Sequence, residues 1–307
     1  MSSLLSLRQM QCFVTVAEEL HFRRAAERLH MTQPPLSQRI QAMERDLGVE
    51  LFKRRGHQVE LTEAGRLLFK EARATLTQAE RVRQVAHRAE RGEAGRVRLG
   101  VTISVPFMPA CTRAITAFQH DYPGVAVDLA LMNSSKALEG LRQRKIDIGL
   151  IRPFSAPLPA DLQQTTVERD RLMLVIPSGH PQAEYEKVPL SAIADERFLL
   201  FPRECGTALY GQIMDVWTRS GIIPRVAQEA ENGLAILALV AAGLGNAILP
   251  SALSALKIDS VAWKQIDIDN RWTSSSIVMV HQKEAQDEKV QSHFIEYVHR
   301  SSRNVVG

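Results

Sequence analysis

Amide, hydroxyl and guanidinium side chains recur at helical spacing between residues 22 and 41, where they could hydrogen-bond to the edges of bases. In this stretch, FRRAAERLHMTQPPLSQRIQ, two short helical patterns meet at a turn. Leu36, Ile40, Met43 and Leu47 are spaced four, three and four apart, which places them on one apolar stripe. The opposite face carries Pro34, Gln38, Gln41 and Arg45, with Ser37 and Arg39 on its flanks, a polar and basic surface suited to a major groove. Thr32 is placed to cap this helix, and Pro34 and Pro35 to fill its first turn, where a missing N–H costs little. Ala25, Ala26 and Leu29 form a small-residue face that a following helix can cross closely, with Arg23, Arg24 and Arg28 alongside to meet phosphates. An amphipathic surface helix is the commoner use of such a pattern; the neighbouring arginines and small-residue face favour a DNA reader.

Catalytic arrangements are hard to find elsewhere. Gly243-Leu244-Gly245 follows a helical pattern instead of opening one, so it is not a dinucleotide fingerprint. There is no phosphate loop, no His-Glu-x-x-His and no Gly-x-Ser-x-Gly elbow. His293 and His299 fall on different faces of a terminal helix, a poor arrangement for a metal. Asp147 opens a strand after a basic turn and reads as a structural partner. No enzyme, cofactor or metal site is expected.

These residues must be held by more than one compact unit, since 307 residues exceed a typical domain. Residues 1–92 hold 16 Lys and Arg against 11 Asp and Glu, a net charge of +5, while the remainder holds 22 against 23. The positive charge therefore belongs to the N-terminal third, as expected if that third alone meets nucleic acid. Cys12, Cys111 and Cys205 are few, odd in number and far apart, which fits a reducing compartment without a disulfide framework. With no leader-like or membrane-spanning run, a cytoplasmic location is expected.

Three segments follow. Residues 1–61 read as helices followed by VELFKRRGHQVELT, two short strands around a Gly56-His57 turn. Such a wing would bring Lys53, Arg54 and Arg55 to the DNA backbone or minor groove. Residues 62–92 read as one helix capped by Thr62, whose Leu68, Ala72, Thr75, Ala79, Val82, Ala86 and Ala89 alternate spacings of four and three, a seam for pairing with a second copy. From residue 95 to 307 strands and helices alternate, predicting parallel sheets covered by helices on both faces. The length suggests two α/β lobes with a cleft, lobe I about 95–165 and 269–307, lobe II about 166–268. Crossovers are expected at TTVERDRL, 165–172, and QIDIDNRW, 265–272.

The run LRQMQCFVTVAEELHFRRAAERLHMTQPPLSQRIQAMERDLGVELFKR and the VELTEAG that follows closely resemble the LysR-type transcriptional regulators. QPPLS and LVAAGLGNAILP resemble the branch that controls degradation of aromatic compounds. The resemblance implies an α/β protein overall, with a winged helix-turn-helix, a long linker helix and a two-lobed effector domain like periplasmic binding proteins. It implies double-stranded promoter DNA, RNA polymerase and further subunits, as dimer or tetramer, as partners. It also implies a small aromatic or unsaturated carboxylic acid as effector, whose binding alters the spacing of the DNA modules.

Carried onto this chain, Gln33, Pro34, Ser37 and Gln38 take the usual DNA-contacting positions. Many relatives read Ser-Arg-Gln where this chain has Ser37-Gln38-Arg39. Glutamine suits an adenine edge where arginine suits guanine, so a different half-site preference is expected. For the effector, Thr102, Ser104 and Ser134 fall at strand ends near helix starts, where free N–H groups attract anions. Arg152 follows the strand IDIGLI and could clamp a carboxylate; Pro202 and Thr207 would face it from the second lobe. Plain helix capping is the simpler role for each of Ser104, Ser134 and Thr207, and a surface ion pair for Arg152. A regulator answering only to a protein partner and an enzyme using the cleft are the competing functions; a solute-binding protein is disfavoured by the basic N-terminal segment.

Overall fold

A computed structural model describes residues 4–55, 58–154, 157–203, 207–286 and 288–303. The chain divides into two compact units, Met1–Arg88 and Ala89–Gly307.

The first unit contains α1 (Leu7–Glu19), α2 (Phe22–Arg28), α3 (Gln33–Leu47), β1 (Phe52–Arg55), β2 (Gln58–Leu61) and the start of α4 (Glu63–Glu90). A reciprocal cap starts α1: Gln9 N–H donates to Ser6 Oγ at 3.2 Å and Ser6 N–H to Gln9 Oε1 at 2.8 Å. Phe13, Val16, Ala25, Leu36, Ile40 and Met43 are buried together with Leu51 and Phe52. The Phe52 ring lies 5.5 Å from Phe13 and 5.8 Å from Phe22, so the first wing strand is packed onto the helices. Glu44 fastens the same strand to α3, accepting N–H bonds from Leu51 at 2.8 Å and Phe52 at 3.2 Å. β1 and β2 pair antiparallel, Phe52 opposite Leu61 and Arg55 opposite Gln58; the Gly56-His57 turn lies outside the described residues.

Two expectations for α3 need correction. Leu47 is 38 % exposed, so the buried stripe stops at Met43, one turn before Gly48 ends the helix in a left-handed conformation. Thr32 occupies the cap position but makes no side-chain cap bond. An N-cap oxygen accepts from the second or third helical N–H, and here both are prolines, Pro34 and Pro35, with no hydrogen to give. A threonine cap and a diproline first turn exclude each other.

Thr62 does cap α4, accepting from Gly65 N–H at 2.9 Å while its own hydroxyl donates to the Glu50 carbonyl at 2.7 Å. Residue 65 must be glycine, because a Cβ there would lie 2.2 Å from the Leu51 carbonyl oxygen. Ala72 is buried against the helical core, whereas Val82 and Val85 further along are 63 % and 57 % exposed.

The second unit runs β3 (Gly95–Val101), α5 (Pro109–Asp121), β4 (Val125–Leu131), α6 (Ser134–Arg142), β5 (Ile148–Ile151), β6 (Leu162–Pro177), β7 (Lys187–Val188), β8 (Arg197–Leu200), α7 (Thr207–Arg219), β9 (Arg225–Glu229), α8 (Gly233–Ala241), β10 (Ala247–Pro250), β11 (Val261–Ile266), α9 (Asn270–Thr273), β12 (Ser274–Gln282) and α10 (Lys289–Arg303). Its main sheet has the order β4-β3-β5-β12-β6-β11-β7, with β10 also on β6, and β8 pairs β9 separately.

The expectation of parallel sheets holds only in part. β3 is parallel to β4 and β5, and β8 to β9, but β12 is antiparallel to both β5 and β6, and β6 to β10 and β11. The cause is β6, one 16-residue strand that belongs to both lobes. Its residues 162–171 pair with β12, and from Leu172 onward it pairs with β10 and β11. The first crossover is therefore an unbroken strand and not a loop hinge. Each lobe has its own apolar core, one built from Leu172 to Ile266 and the other around Val97, Leu99, Phe118, Ile148, Met279 and Phe294.

Candidate functional site

In the first unit α3 turns Gln33, Pro34, Gln38, Gln41 and Arg45 outward, while Leu36, Ile40 and Met43 are buried beneath them. Thr32 is exposed, and Pro35, Ser37 and Arg39 are half-buried. The polar face foreseen from spacing is thus one continuous surface. Lys53 is exposed on β1; the side chains of Arg54 and Arg55 lie outside the described residues.

The arginines of α2 already have partners. Arg28 meets Glu18 at 2.8 Å and Glu19 at 3.2 Å, Arg24 donates to the Glu19 carbonyl at 2.7 Å, and Arg23 lies 3.5 Å from Glu27. Hydrogen bonding to Glu19 and the charge of Glu18 raise the Arg28 guanidinium above its ordinary value. These pairs are exposed and individually weak, so a phosphate could displace the carboxylates at small cost. Arg23 and Arg24 thus remain exposed but are ion-paired, which the sequence alone did not show.

In the second unit a cavity of about 240 Å³ opens between the lobes. Thr102, Ile103, Ser104, Leu131, Met132, Asn133, Ser134, Lys136 and Arg152 line it from the first lobe; Phe201, Leu209, Glu231, Asn232, Gly233, Pro250 and Leu253 line it from the second. Four of the expected effector residues, Thr102, Ser104, Ser134 and Arg152, are brought together here. Pro202 is half-buried and does not line the cavity; its neighbour Phe201 does. The Thr207 side chain lies outside the described residues.

Helix capping is not the use of these serines. α6 is capped by Asn133, which accepts from Lys136 N–H at 2.8 Å, and α8 by Asn232, which accepts from Ala235 N–H at 2.9 Å. Both caps line the cavity and were not singled out from sequence, although Asn before a helical run is a start signal. Ser134 Oγ instead accepts from the Arg152 backbone N–H at 3.2 Å, and Ser104 Oγ accepts from Arg152 Nη2 at 3.1 Å.

Arg152 is no surface residue: its side chain and that of Asp170 are each 2 % exposed and meet at 2.6 Å. Burial draws the guanidinium below its ordinary value, and Asp170 pulls it back. Arg152 Nη1 also donates to Ser275 Oγ at 2.5 Å, and that hydroxyl donates to Gln212 Oε1 of α7 at 2.7 Å. Asp170 Oδ1 accepts from Ser251 Oγ at 2.6 Å and from Ala252 N–H at 3.3 Å. One guanidinium thus joins the cavity to β6 and β12, the strands at which the chain passes between lobes. A carboxylate reaching Arg152 would have to share it with Asp170, so the open clamp expected from sequence is not present.

Thr102 behaves differently from its neighbours. It is 8 % exposed, its backbone N–H donates to the Leu150 carbonyl at 3.1 Å, and its hydroxyl has no hydrogen-bond partner. Buried hydroxyls are normally satisfied, because leaving one unpaired costs about 1–3 kcal/mol.

Asp147 accepts from Arg98 at 2.7 Å from the backbone and 2.6 Å from Nη2, a lattice of support for β3 and not a reacting group. Among the described residues no group of three His, Cys, Asp or Glu could hold a metal ion, and no helix is long and apolar enough to cross a membrane.

A helix-turn-helix with a strand pair, followed by a two-lobed α/β unit enclosing a cavity, defines a class of DNA-binding regulators. Residues 7–66 match the bacterial regulatory helix-turn-helix protein, lysR family, and residues 90–303 match the LysR substrate binding domain. The chain belongs to the LysR family and is a ligand-responsive, DNA-binding transcriptional regulator. It is 37 % identical over 262 residues to the uncharacterized HTH-type transcriptional regulator YnfL of Escherichia coli (strain K12), covering 85 % of this chain and 88 % of that one. It is 35 % identical over 254 residues to the HTH-type transcriptional regulator ClcR of Pseudomonas putida, covering 81 % and 84 %. The crystal structure of full-length CbnR complexed with its target DNA superposes with a TM-score of 0.76 at 28 % identity, covering 97 % of this chain and 100 % of that one.

Proposed function

We propose that this regulator is switched by a small carboxylic acid, aromatic or unsaturated, held in the cavity between the lobes. The observation that carries the reading is the unpartnered Thr102 hydroxyl in a recess that combines apolar walls with convergent polar groups. Burying it without a bond is costly unless a ligand group or a water completes it. The volume fits the ligand class: a cavity of about 150 Å³ holds benzene, so 240 Å³ admits one substituted ring or a short chain. Leu131, Met132, Phe201, Leu209 and Leu253 supply the apolar walls, and the N-terminus of α6 supplies N–H groups for an anion. The QPPLS and LVAAGLGNAILP segments favour the branch that governs degradation of aromatic compounds.

On the DNA side, Gln33, Pro34, Ser37 and Gln38 read bases, Thr32, Pro35 and Arg39 border them, and Arg23, Arg24, Lys53, Arg54 and Arg55 meet phosphates. The exposed Val82 and Val85 of α4 favour pairing with a second copy, as dimer or tetramer. RNA polymerase is the further partner that such a regulator addresses at a promoter.

The test is a DNase footprint on the DNA upstream of the protein's own gene, with and without a panel of aromatic and unsaturated carboxylates. Two protected half-sites on one DNA face that shorten or shift with one acid support the proposal. Protection indifferent to every acid overturns the effector and leaves a regulator that answers to another signal.

A further inference from the structure

The two walls of the cavity differ in charge. Lys136 stands exposed at the rim on the first lobe and Glu231 exposed at the rim on the second. Among the described residues neither side chain has an ion pair or hydrogen bond. The other lining charge, Arg152, is met by Asp170. The helix ends are also unequal. α6 begins at Ser134 with Lys136 in its first turn, so its positive end is reinforced. α8 begins at Gly233, and Glu231 precedes its cap Asn232, placing a carboxylate where an incoming anion would otherwise settle. An anion is therefore favoured on the first lobe and repelled on the second. The buried, unpartnered Thr102 hydroxyl adds a hydrogen-bond donor to the first-lobe side.

We propose that the ligand is bifunctional: a carboxylate directed at the α6 N-terminus, Lys136 and Thr102, and a hydroxyl or ammonium group directed at Glu231. This rests on the reading above that a small carboxylic acid fills the cavity. A ligand so built contacts the lobes through groups of opposite character, so it favours one separation between them; a plain acid is attached to one lobe only.

The experiment is calorimetric titration of the full-length protein with matched pairs: 4-methylbenzoate against 4-(aminomethyl)benzoate and 4-hydroxybenzoate, and hexanoate against 6-aminohexanoate. At least one donor-bearing acid should bind about two- to fivefold more tightly than its plain counterpart, the size of one charge contact at an exposed rim. Glu231→Gln should remove that preference without weakening the plain acid, and Lys136→Gln should weaken both members alike. If plain acids bind and donors confer nothing, the bifunctional ligand is wrong and the carboxylate reading stands. If no acid of any pair binds, both are wrong.

Discussion

Arg152 and Asp170 form a buried ion pair at 2.6 Å, and between them they touch the cavity and both passages of the chain between lobes. Buried pairs seldom add net stability over an apolar pair, but removing one partner strands the other charge. Asp170→Ala should lower the stability of the second unit by about 3–5 kcal/mol. Arg152→Met combined with Asp170→Leu should cost less than either single change. Urea denaturation of the full chain, followed by intrinsic fluorescence, measures both; a double variant worse than the singles would mean that the pair stabilises beyond charge balance.

Thr102→Val removes a hydroxyl that has no partner while keeping the side-chain shape. The ligand-free protein should become no less stable and gain up to about 1 kcal/mol in Tm-derived stability. Affinity for any acid found to bind should fall. A loss of ligand-free stability would show that the hydroxyl is satisfied, by water for instance, and the argument for a ligand there would fail.

Gln38 is exposed on the polar face of α3. Gln38→Arg should shift the preferred half-site from adenine toward guanine at one position, by about 1–3 kcal/mol of discrimination. Binding-site selection with randomised DNA tests this; an unchanged consensus would remove Gln38 from base readout.

Ser6 and Thr32 both precede helices, yet only Ser6 accepts a cap bond. Ser6→Ala should cost about 1 kcal/mol, and Thr32→Ala only a small fraction of that, judged by thermal unfolding. Equal losses would contradict the diproline explanation.

His281 is 1 % exposed, and burial depresses its affinity for a proton, with His299 adding to the effect. Its Nδ1 donates to the Gln282 carbonyl at 2.8 Å, so the neutral ring leaves Nε2 to accept from Gln163 Nε2 at 3.2 Å. With the folded value below the unfolded one near 6.5, this contribution is present above about pH 6.5 and is lost as pH falls and the unfolded chain takes up the proton first. The loss is at most about 1.4 kcal/mol per pH unit. His281→Asn should flatten the stability profile between pH 7 and 5; an unchanged slope would assign it to other groups.

The polar face of α3 was legible because its signal is local. Leu36, Ile40 and Met43 recur at helical spacing, and the exposed amides follow from them. The cavity was half legible. Ser104, Ser134 and Arg152 follow apolar strands whose ends can be read, but Glu231 and Asn232 follow β9, a strand exposed at every position that shows no alternation. The polar stretch Gln163–Thr165 hid the first half of β6 in the same way. What lay beyond reach was pairing at long separation, such as Asp170 claiming the guanidinium expected to await a ligand.

β6 also fixes an order of assembly. The second lobe's core closes with residues 172–266, one uninterrupted stretch of chain, whereas the first requires Ile277, Met279, Phe294 and Val298 from beyond it. As the protein emerges from the ribosome, the inner lobe can complete its core while the outer one still lacks its central strand and final helix. Early arrest of synthesis would therefore release a chain with one lobe formed and the edges of β5 and the first half of β6 uncovered, a template for pairing with other chains.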